Sequence, residues 1–100
     1  MDPGIPDIQI SDVVISARGR DQGQLFYVIG IEENYFLLAN GLNRPLDKPK
    51  RKKQKHVEKV LRSETRVAEK LRSGDKVLNG ELRRDLAFLA KDASDNLGGY

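Results

Sequence analysis

Cysteine is absent from this chain of 100 residues, and histidine occurs once, at His56. The lack of thiols excludes disulfide bonds, thiolate metal sites and a cysteine nucleophile. A single histidine cannot build a metal site, and no nucleophile in the sequence is paired with it. The adjacent carboxylates Glu32 and Glu33 fall in a predicted exposed turn, where solvation explains them better than acid–base catalysis. We therefore expect no metal, no cofactor and no enzymatic activity.

Long apolar runs are also absent. The longest, around residues 25–31 and 35–39, fall far short of the roughly 18 residues that span a bilayer. The first ten residues contain prolines and acids but lack the basic and apolar regions of a secretory signal. The expectation is a single-domain cytoplasmic protein that does not enter membranes and is a monomer when free.

Positive charge is concentrated in one part of the chain. The formal net charge is +3, but residues 1–43 carry −4, residues 44–59 carry +6 and residues 60–100 carry +1. A local cationic patch on an otherwise acidic to neutral chain indicates a polyanionic partner more strongly than a diffuse excess does.

The hydrophobic pattern divides the chain into segments. Residues 1–10 are predicted to be a flexible arm and residues 96–100 a frayed end. Between them, residues 11–61 alternate short apolar runs with turn residues, which predicts a small β-barrel or meander of about five strands. The predicted strands begin at Val13 and cover Leu25–Ile31, Tyr35–Ala39, Leu42–Leu46 and His56–Leu61.

Residues 62–95 change to helical periodicity and predict a tail of two short helices. Ser63 is the expected N-cap of the first, Gly74 its end, and Asn79 the cap of the second. The second helix carries an apolar stripe that either packs on the barrel or contacts a protein partner; its residues are Leu82, Leu86 and Leu89.

Residues 18–23 form a polar run with a glycine at position 19 and another at position 23. Glycine reaches positive φ without a Cβ clash, so a turn is expected. Its simplest interpretation is a hairpin loop. The alternative is an anion site, in which backbone N–H groups approach phosphates and Arg18 and Arg20 hold them with bidentate hydrogen bonds.

Residues 44–55 contain seven cationic side chains and are predicted to be a solvated basic loop rather than a buried strand. Binding to phosphates is favoured over a passive solubility role or a nuclear-import signal because the run adjoins the basic turn. Among the aromatic residues, most are expected in the core. Tyr27 and Tyr35 are the strongest candidates for stacking on an unpaired base.

A family resemblance is carried by residues 12–24, with the RGRDQG run as its most specific part, followed by residues 26–29, 33–38 and Asn40-Gly41. These segments resemble the KOW motif, and are most similar to the archaeal and eukaryotic large-subunit ribosomal protein family called fourteen-E and its short bacterial relatives. Gly23 matches the motif's invariant glycine. Phe26 stands where many KOW sequences carry a further glycine, which weakens similarity to the transcription-factor branch. The helical tail lies outside the motif.

The resemblance implies an SH3-like barrel that binds ribosomal RNA, and we expect a non-catalytic, ribosomal or ribosome-associated protein. A protein-interaction module of the transcription or translation machinery is the alternative. Attachment of the basic loop to anionic membranes ranks last. The candidate RNA-binding residues are Arg18, Gly19, Arg20, Gln22, Gly23, Arg44, Lys48, Lys50, Arg51, Lys52, Lys53 and Lys55.

Overall fold

The fold is a five-stranded antiparallel sheet followed by two helices. A computed structural model describes the backbone of residues 7–98 and the side chains of residues 7–92. The elements are β1 (Asp12–Ser16), β2 (Leu25–Ile31), β3 (Tyr35–Ala39), β4 (Lys50–Lys53), β5 (Val57–Arg62), α1 (Arg66–Ser73) and α2 (Asn79–Gly98). The predicted mainly β class with a C-terminal helical part is confirmed. Over residues 7–98, no helix is both long and apolar enough to cross a membrane.

The sheet is strongly curled. Its strand order is β4-β3-β2-β1-β5, yet β4 and β5, at opposite edges, are joined only by a 3₁₀ turn over Gln54–His56. A flat sheet would separate these edges by about 19 Å, whereas three residues of a 3₁₀ turn advance only about 6 Å. The edges must therefore approach each other at this end. Within residues 7–98, no hydrogen-bonded pairing joins β4 to β5, so a closed barrel remains a prediction.

Each face of the sheet contributes a buried apolar cluster. Successive side chains of a strand point to opposite faces, and β2 uses this alternation fully. Phe26 and Val28 face the concave side, in one core cluster with Ile8, Val14, Phe36, Leu38 and Val57. Tyr27 faces the convex side, in a second cluster with Val13, Ala39, Val67, Ala68, Leu82 and Leu86. The helices therefore cover the part of the outer face where Val13, Tyr27 and Ala39 lie.

The predicted N-terminal arm is only partly open to description, because residues 1–6 lie outside the described part of the chain. Residues 7–10 are attached to the sheet. Ile8 is buried in the concave cluster, and Lys59 Nζ donates to the carbonyl oxygen of Asp7 at 3.3 Å. Burial of the Ile8 side chain stabilises the attachment of residues 7–10 to the sheet. These four residues are therefore not part of a flexible arm.

The fourth strand is not where the pattern placed it. Leu42–Leu46 is irregular, and the partner of β3 is instead β4, which pairs Leu38 with Lys50 and Tyr35 with Lys53. The prediction of a solvated loop over residues 44–55 is thus wrong for Lys50–Lys53. A lysine-rich segment can form this strand because it lies at a sheet edge, where charged side chains are common and prevent pairing with other chains.

The first helix begins and ends with recognisable caps. Thr65, not Ser63, caps α1, because Thr65 Oγ1 accepts from Ala68 N at 3.2 Å. Gly74 ends α1 at φ 78°, as predicted. The second helix begins at Asn79, the residue predicted as its cap, although Asn79 Oδ1 accepts from Leu46 N, and it extends through Gly98. It is therefore longer than expected, and of the predicted frayed end only residues 99 and 100 lie outside the described backbone.

A buried polar network joins the sheet to both helices. The Tyr27 hydroxyl donates to Asp85 Oδ2 on α2 and lies 2.8 Å from Ser63 Oγ. Thr65 Oγ1 donates to the same Asp85 oxygen at 2.8 Å. Burial and then the hydrogen bond to Asp85 raise the pKa of Tyr27 to about 12. Tyr27 is fully buried, so it belongs to the core, as expected for most of the aromatic residues, and is no longer a candidate for base stacking.

Gly41 holds the loop between β3 and β4 against the start of α2. It adopts a φ of 76°, and a Cβ there would overlap the carbonyl oxygen of Asn79. The same loop is anchored where Leu46 N donates to Asn79 Oδ1 at 2.8 Å. The Asn40-Gly41 pair thus forms a turn. The turn does not lead directly into the strand that pairs with β3; instead, the missing side chain of Gly41 leaves room for the backbone at the start of α2.

Gly41→Ala should destabilise the protein more than Gly74→Ala. Both glycines have positive φ, at 76° and 78°, so each alanine incurs a backbone cost of about 1 kcal/mol. Apart from its two chain neighbours, no described residue has an atom within 4 Å of a Cβ built at Gly74. At Gly41, by contrast, the backbone of α2 must shift, which adds roughly 1–3 kcal/mol. Urea denaturation measures the free energy of unfolding, and equal losses for the two variants would contradict the packing described here.

Candidate nucleic-acid interface

The β1–β2 connection is a compact turn built on two glycines. Gly19 and Gly23 have φ values of 93° and 89°, which confirms that this turn uses the left-handed conformation. Gly23 N donates to Ser16 O at 2.9 Å, and Gln22 N donates to Gly19 O at 3.2 Å. These two N–H groups are therefore used inside the turn, and any phosphate contact at these positions must come from other atoms.

A buried ion pair fixes the turn to the edge strand. Lys52 Nζ donates to Asp21 Oδ1 at 2.7 Å and also to the carbonyl oxygen of Arg18. Ser16 Oγ donates to the same Asp21 oxygen at 2.8 Å. The residues Asp21 and Lys52 are only 8 % and 7 % exposed, so a charge of the turn and a charge of β4 neutralise each other away from solvent.

The environment of Asp21 favours its charged form. Burial acts to raise the pKa of Asp21, but hydrogen bonds from Lys52 and Ser16 and the positive charges of Lys52 and Lys50 outweigh it and hold that pKa below its ordinary value of 3.8. Asp21 is therefore ionised at neutral pH, which the pair with Lys52 requires.

The turn and the lysine segment meet on one surface. Ala17 N donates to His56 O at 2.9 Å, so the residue before Arg18 is bonded to the residue after Lys55. Arg18, Arg20, Lys53 and Lys55 are all exposed. The fold thus brings together cations that lie more than 30 residues apart in the sequence, while Lys52 holds the two segments in place.

His56 lies close to these cations, and their positive charges affect its pKa. Partial desolvation lowers the pKa of His56, and the positive charges of Arg18, Lys55, Lys53 and Lys52 lower it further. The imidazole is therefore neutral at physiological pH. Arg18 can act on His56 from another segment because the hydrogen bond from Ala17 N to His56 O holds the two segments together.

The cations of residues 44–55 divide into different environments. Lys52 is buried, and Lys50 Nζ lies 3.8 Å from Asp21 Oδ2 with its side chain 30 % exposed. Arg51 pairs with Glu32. On the β3–β4 loop, Arg44 is half-buried and Lys48 is exposed. Lys53 and Lys55 follow on β4 and the 3₁₀ turn. The structure gives Lys52 a role in holding the turn rather than in contacting a ligand.

Sequence reasoning missed the importance of Asp21. It lies within the RGRDQG run, between the residues that carry the resemblance, but nothing local indicates that its partner is Lys52, 31 residues away. The only signal in the sequence was the position of Asp21, an acid inside an otherwise basic glycine turn. An acid at such a position can neutralise a buried cation.

The leucine stripe of α2 packs inside the molecule. Leu82 and Leu86 are 0 % and 6 % exposed, and Leu89 is packed against the same convex cluster. A protein partner would reach the two buried side chains only if α2 left the sheet. Of the two alternatives for this stripe, packing on the sheet is the one observed.

Comparison with known proteins gives no family. No protein-family model matches the chain, and no curated protein matches it either. The resemblance to the ribosomal family therefore stays a prediction from the turn and its flanking strands.

Asp21→Asn should lower the free energy of unfolding by about 3 kcal/mol at pH 7, because it leaves Lys52 buried without its counter-charge. The folded-state pKa of Asp21 lies below 3.8, so the contribution of its carboxylate is present above that value and is lost as the pH falls through the folded-state pKa. The difference between wild type and variant should shrink over that range. Urea denaturation at a series of pH values measures it.

Asp47→Asn is the matched control, because Asp47 is an exposed acid on the β3–β4 loop. It should change stability by less than about 0.5 kcal/mol. Equal stability of the two variants, or a difference that persists unchanged at low pH, would contradict a structural role for the Asp21–Lys52 pair.

Proposed function

We propose that this chain is a non-catalytic RNA-binding protein of the cytoplasm that associates with the large ribosomal subunit and holds ribosomal RNA through its cationic surface. The observation that carries the proposal is the convergence of the Arg18–Gly23 turn with residues 53–56, marked by the hydrogen bond from Ala17 N to His56 O at 2.9 Å. Two cationic segments that are separate in sequence then act on one polyanion.

The chemistry of this surface suits phosphates. Arg18 and Arg20 carry planar guanidinium groups that can bind a phosphate bidentately, and Lys53 and Lys55 add exposed point charges beside them. A cluster of this kind gains affinity by releasing counterions from a polyphosphate backbone. Such contacts hold the partner without reading its sequence, so recognition would depend on the shape of the folded RNA.

The ribosomal part of the proposal rests on the resemblance to the fourteen-E family. Gly19 and Gly23, two of the residues that carry this resemblance, both adopt positive φ in the β1–β2 turn, as expected from the sequence. The protein-interaction alternative loses the support of the leucine stripe, because Leu82 and Leu86 lie against the sheet.

Removing the four exposed cations should weaken RNA binding and its salt dependence together. The variant combines Arg18→Ala, Arg20→Ala, Lys53→Ala and Lys55→Ala. Each lost phosphate contact should flatten the plot of log affinity against log salt by roughly 0.7–0.9. Filter binding to large-subunit ribosomal RNA fragments at several salt concentrations measures the slope.

A matched control removes the same charge from the helical part of the chain, where Lys76, Arg83, Arg84 and Lys91 are also exposed. Replacing these four by alanine should leave most of the slope intact. Binding that is absent in wild type, indifferent to salt, or equally reduced in both variants would overturn the assignment of the surface.

The pKa of His56 should rise when RNA binds. Desolvation and the neighbouring cations lower this pKa in the free protein, and a bound phosphate would offset the positive field. By linkage, RNA affinity should then increase as the pH falls through the pKa of His56. NMR titration of the single histidine, with and without RNA, measures the shift. An unchanged pKa in the complex would show that no phosphate lies beside His56.

Association with the ribosome has a separate test. Sedimentation of cell extract on a sucrose gradient should place the protein with the large subunit, and nuclease treatment or high salt should release it. Migration with free protein fractions, together with RNA binding in vitro, would retain the RNA-binding proposal and remove its ribosomal part.

A further inference from the structure

The outer face of β4 carries an arginine stacked on an aromatic ring. The guanidinium carbon of Arg51 lies 4.1 Å from the centroid of the Tyr35 ring. The register explains the contact, because Lys53 is opposite Tyr35 and Arg51 is opposite Leu37. Arg51 is therefore the diagonal neighbour of Tyr35 on the same face, within reach of a long side chain.

The guanidinium is held in place by the β2–β3 turn. Arg51 Nε donates to Glu32 Oε1 at 2.7 Å. The backbone of Glu32 is itself fixed, because Glu32 N donates to Tyr35 O at 2.8 Å and Gln54 Nε2 donates to Glu32 O at 3.0 Å. The guanidinium group of Arg51 is thus oriented by the Tyr35 ring beneath it and the Glu32 carboxylate at its edge. This orientation reduces the side-chain entropy that is lost when a ligand binds.

Most of the Arg51 side chain is open to solvent. The Arg51 side chain is 61 % exposed although it lies against Tyr35 and Glu32. A flat cation with one face on an aromatic ring and the other in solvent offers a surface on which a second planar group can stack. Proteins that recognise single-stranded RNA stack unpaired bases on arginine planes and aromatic rings in this way.

A phosphate role for Arg51 is less suitable. The carboxylate of Glu32, 2.7 Å from Nε, already occupies one donor and would repel an incoming phosphate. Glu32 leaves the π-face free, however, and does not oppose an uncharged base. Lys53 stands opposite Tyr35 with its side chain exposed, so a cation for the phosphate of the same nucleotide lies next to the plane.

We propose that Arg51, supported by Tyr35 and oriented by Glu32, is a stacking site for an unpaired nucleobase, with Lys53 beside it to hold the phosphate. This inference rests on the proposed RNA binding and adds to it the class of RNA. The RNA must present at least one unpaired nucleotide, in a loop or a bulge, because bases inside a duplex cannot reach such a surface.

The test compares two RNAs that have the same length and the same number of phosphates, one a perfect duplex and the other carrying a central bulge. Fluorescence anisotropy gives the affinity of each, and their ratio is the preference for unpaired RNA. Wild type should prefer the bulged RNA by about tenfold, within the range reported for stacking of one base. A 2-aminopurine placed in the bulge should change its fluorescence on binding.

Arg51→Lys keeps the charge and removes the plane. It should abolish most of the preference and the 2-aminopurine signal while leaving the salt slope unchanged, because no charge is lost. Arg84→Lys is the matched control: Arg84 is an exposed arginine on α2, outside the cationic surface, and its replacement should leave the preference intact.

Glu32→Gln separates stacking from simple charge. It removes a negative charge but weakens the orientation of Arg51, so the preference should fall while affinity for duplex stays equal or rises. If Arg51 were only a phosphate contact, Glu32→Gln would strengthen binding to both RNAs alike. Circular dichroism and urea denaturation of each variant confirm that it is folded before its affinities are compared.

The outcomes distinguish this inference from the function on which it rests. Salt-dependent binding with equal affinity for duplex and bulged RNA, or a preference that survives Arg51→Lys, would overturn the stacking site and leave the proposed RNA binding in place. Binding to neither these RNAs nor ribosomal RNA fragments would overturn both.

Discussion

The ion pair between Asp21 and Lys52, 2.7 Å apart, is the interaction on which the cationic surface depends. Asp21 belongs to the β1–β2 turn and Lys52 to the edge strand β4. The ion pair therefore holds the turn against a strand to which β1 and β2 are not paired. Burying two charges is costly unless each neutralises the other and further hydrogen bonds reach them. Among the described residues Asp21 Oδ2 has no hydrogen-bond partner, but Lys50 Nζ lies 3.8 Å from it. Ser16 and the Arg18 carbonyl supply further bonds. The exposed cations on both segments are thereby held side by side, which reduces the entropy that binding must overcome.

The helices act on the other side of the sheet. The convex face would expose Val13, Tyr27 and Ala39 if α1 and α2 were absent, and burying such a face stabilises the fold in proportion to its apolar area. The network of Tyr27, Ser63, Thr65 and Asp85 fixes the angle at which the helices dock, because each buried hydroxyl needs a partner. The two ends of the sheet therefore have separate roles. The helices cover the convex face around Val13, Tyr27 and Ala39, whereas β4 and the turns beside it expose charged side chains.

The sequence predicted the mainly β class, the extents of β2 and β3, the glycine turn at Gly19 and Gly23, and the end of α1 at Gly74, because these depend on local periodicity and on backbone angles that few residues adopt. It did not predict β4. The four consecutive cations of β4 show no apolar alternation. They form a strand only because they pair with β3 and because Asp21 neutralises Lys52. For the same reason the sequence predicted Lys52 as an RNA-binding residue, although its side chain is buried.

Sequence alone determined where positive charge is concentrated, where the chain must turn with positive φ, and which segments can bury apolar side chains. The tertiary structure alone decided which cations face solvent and which serve the fold. Asp21 and Lys52 are 31 residues apart, and Glu32 and Arg51 are 19 apart, so neither pair leaves a local pattern. Which acid reaches which cation depends on the curl of the sheet, and that curl is set by the packing of both its faces and by the short link from β4 to β5.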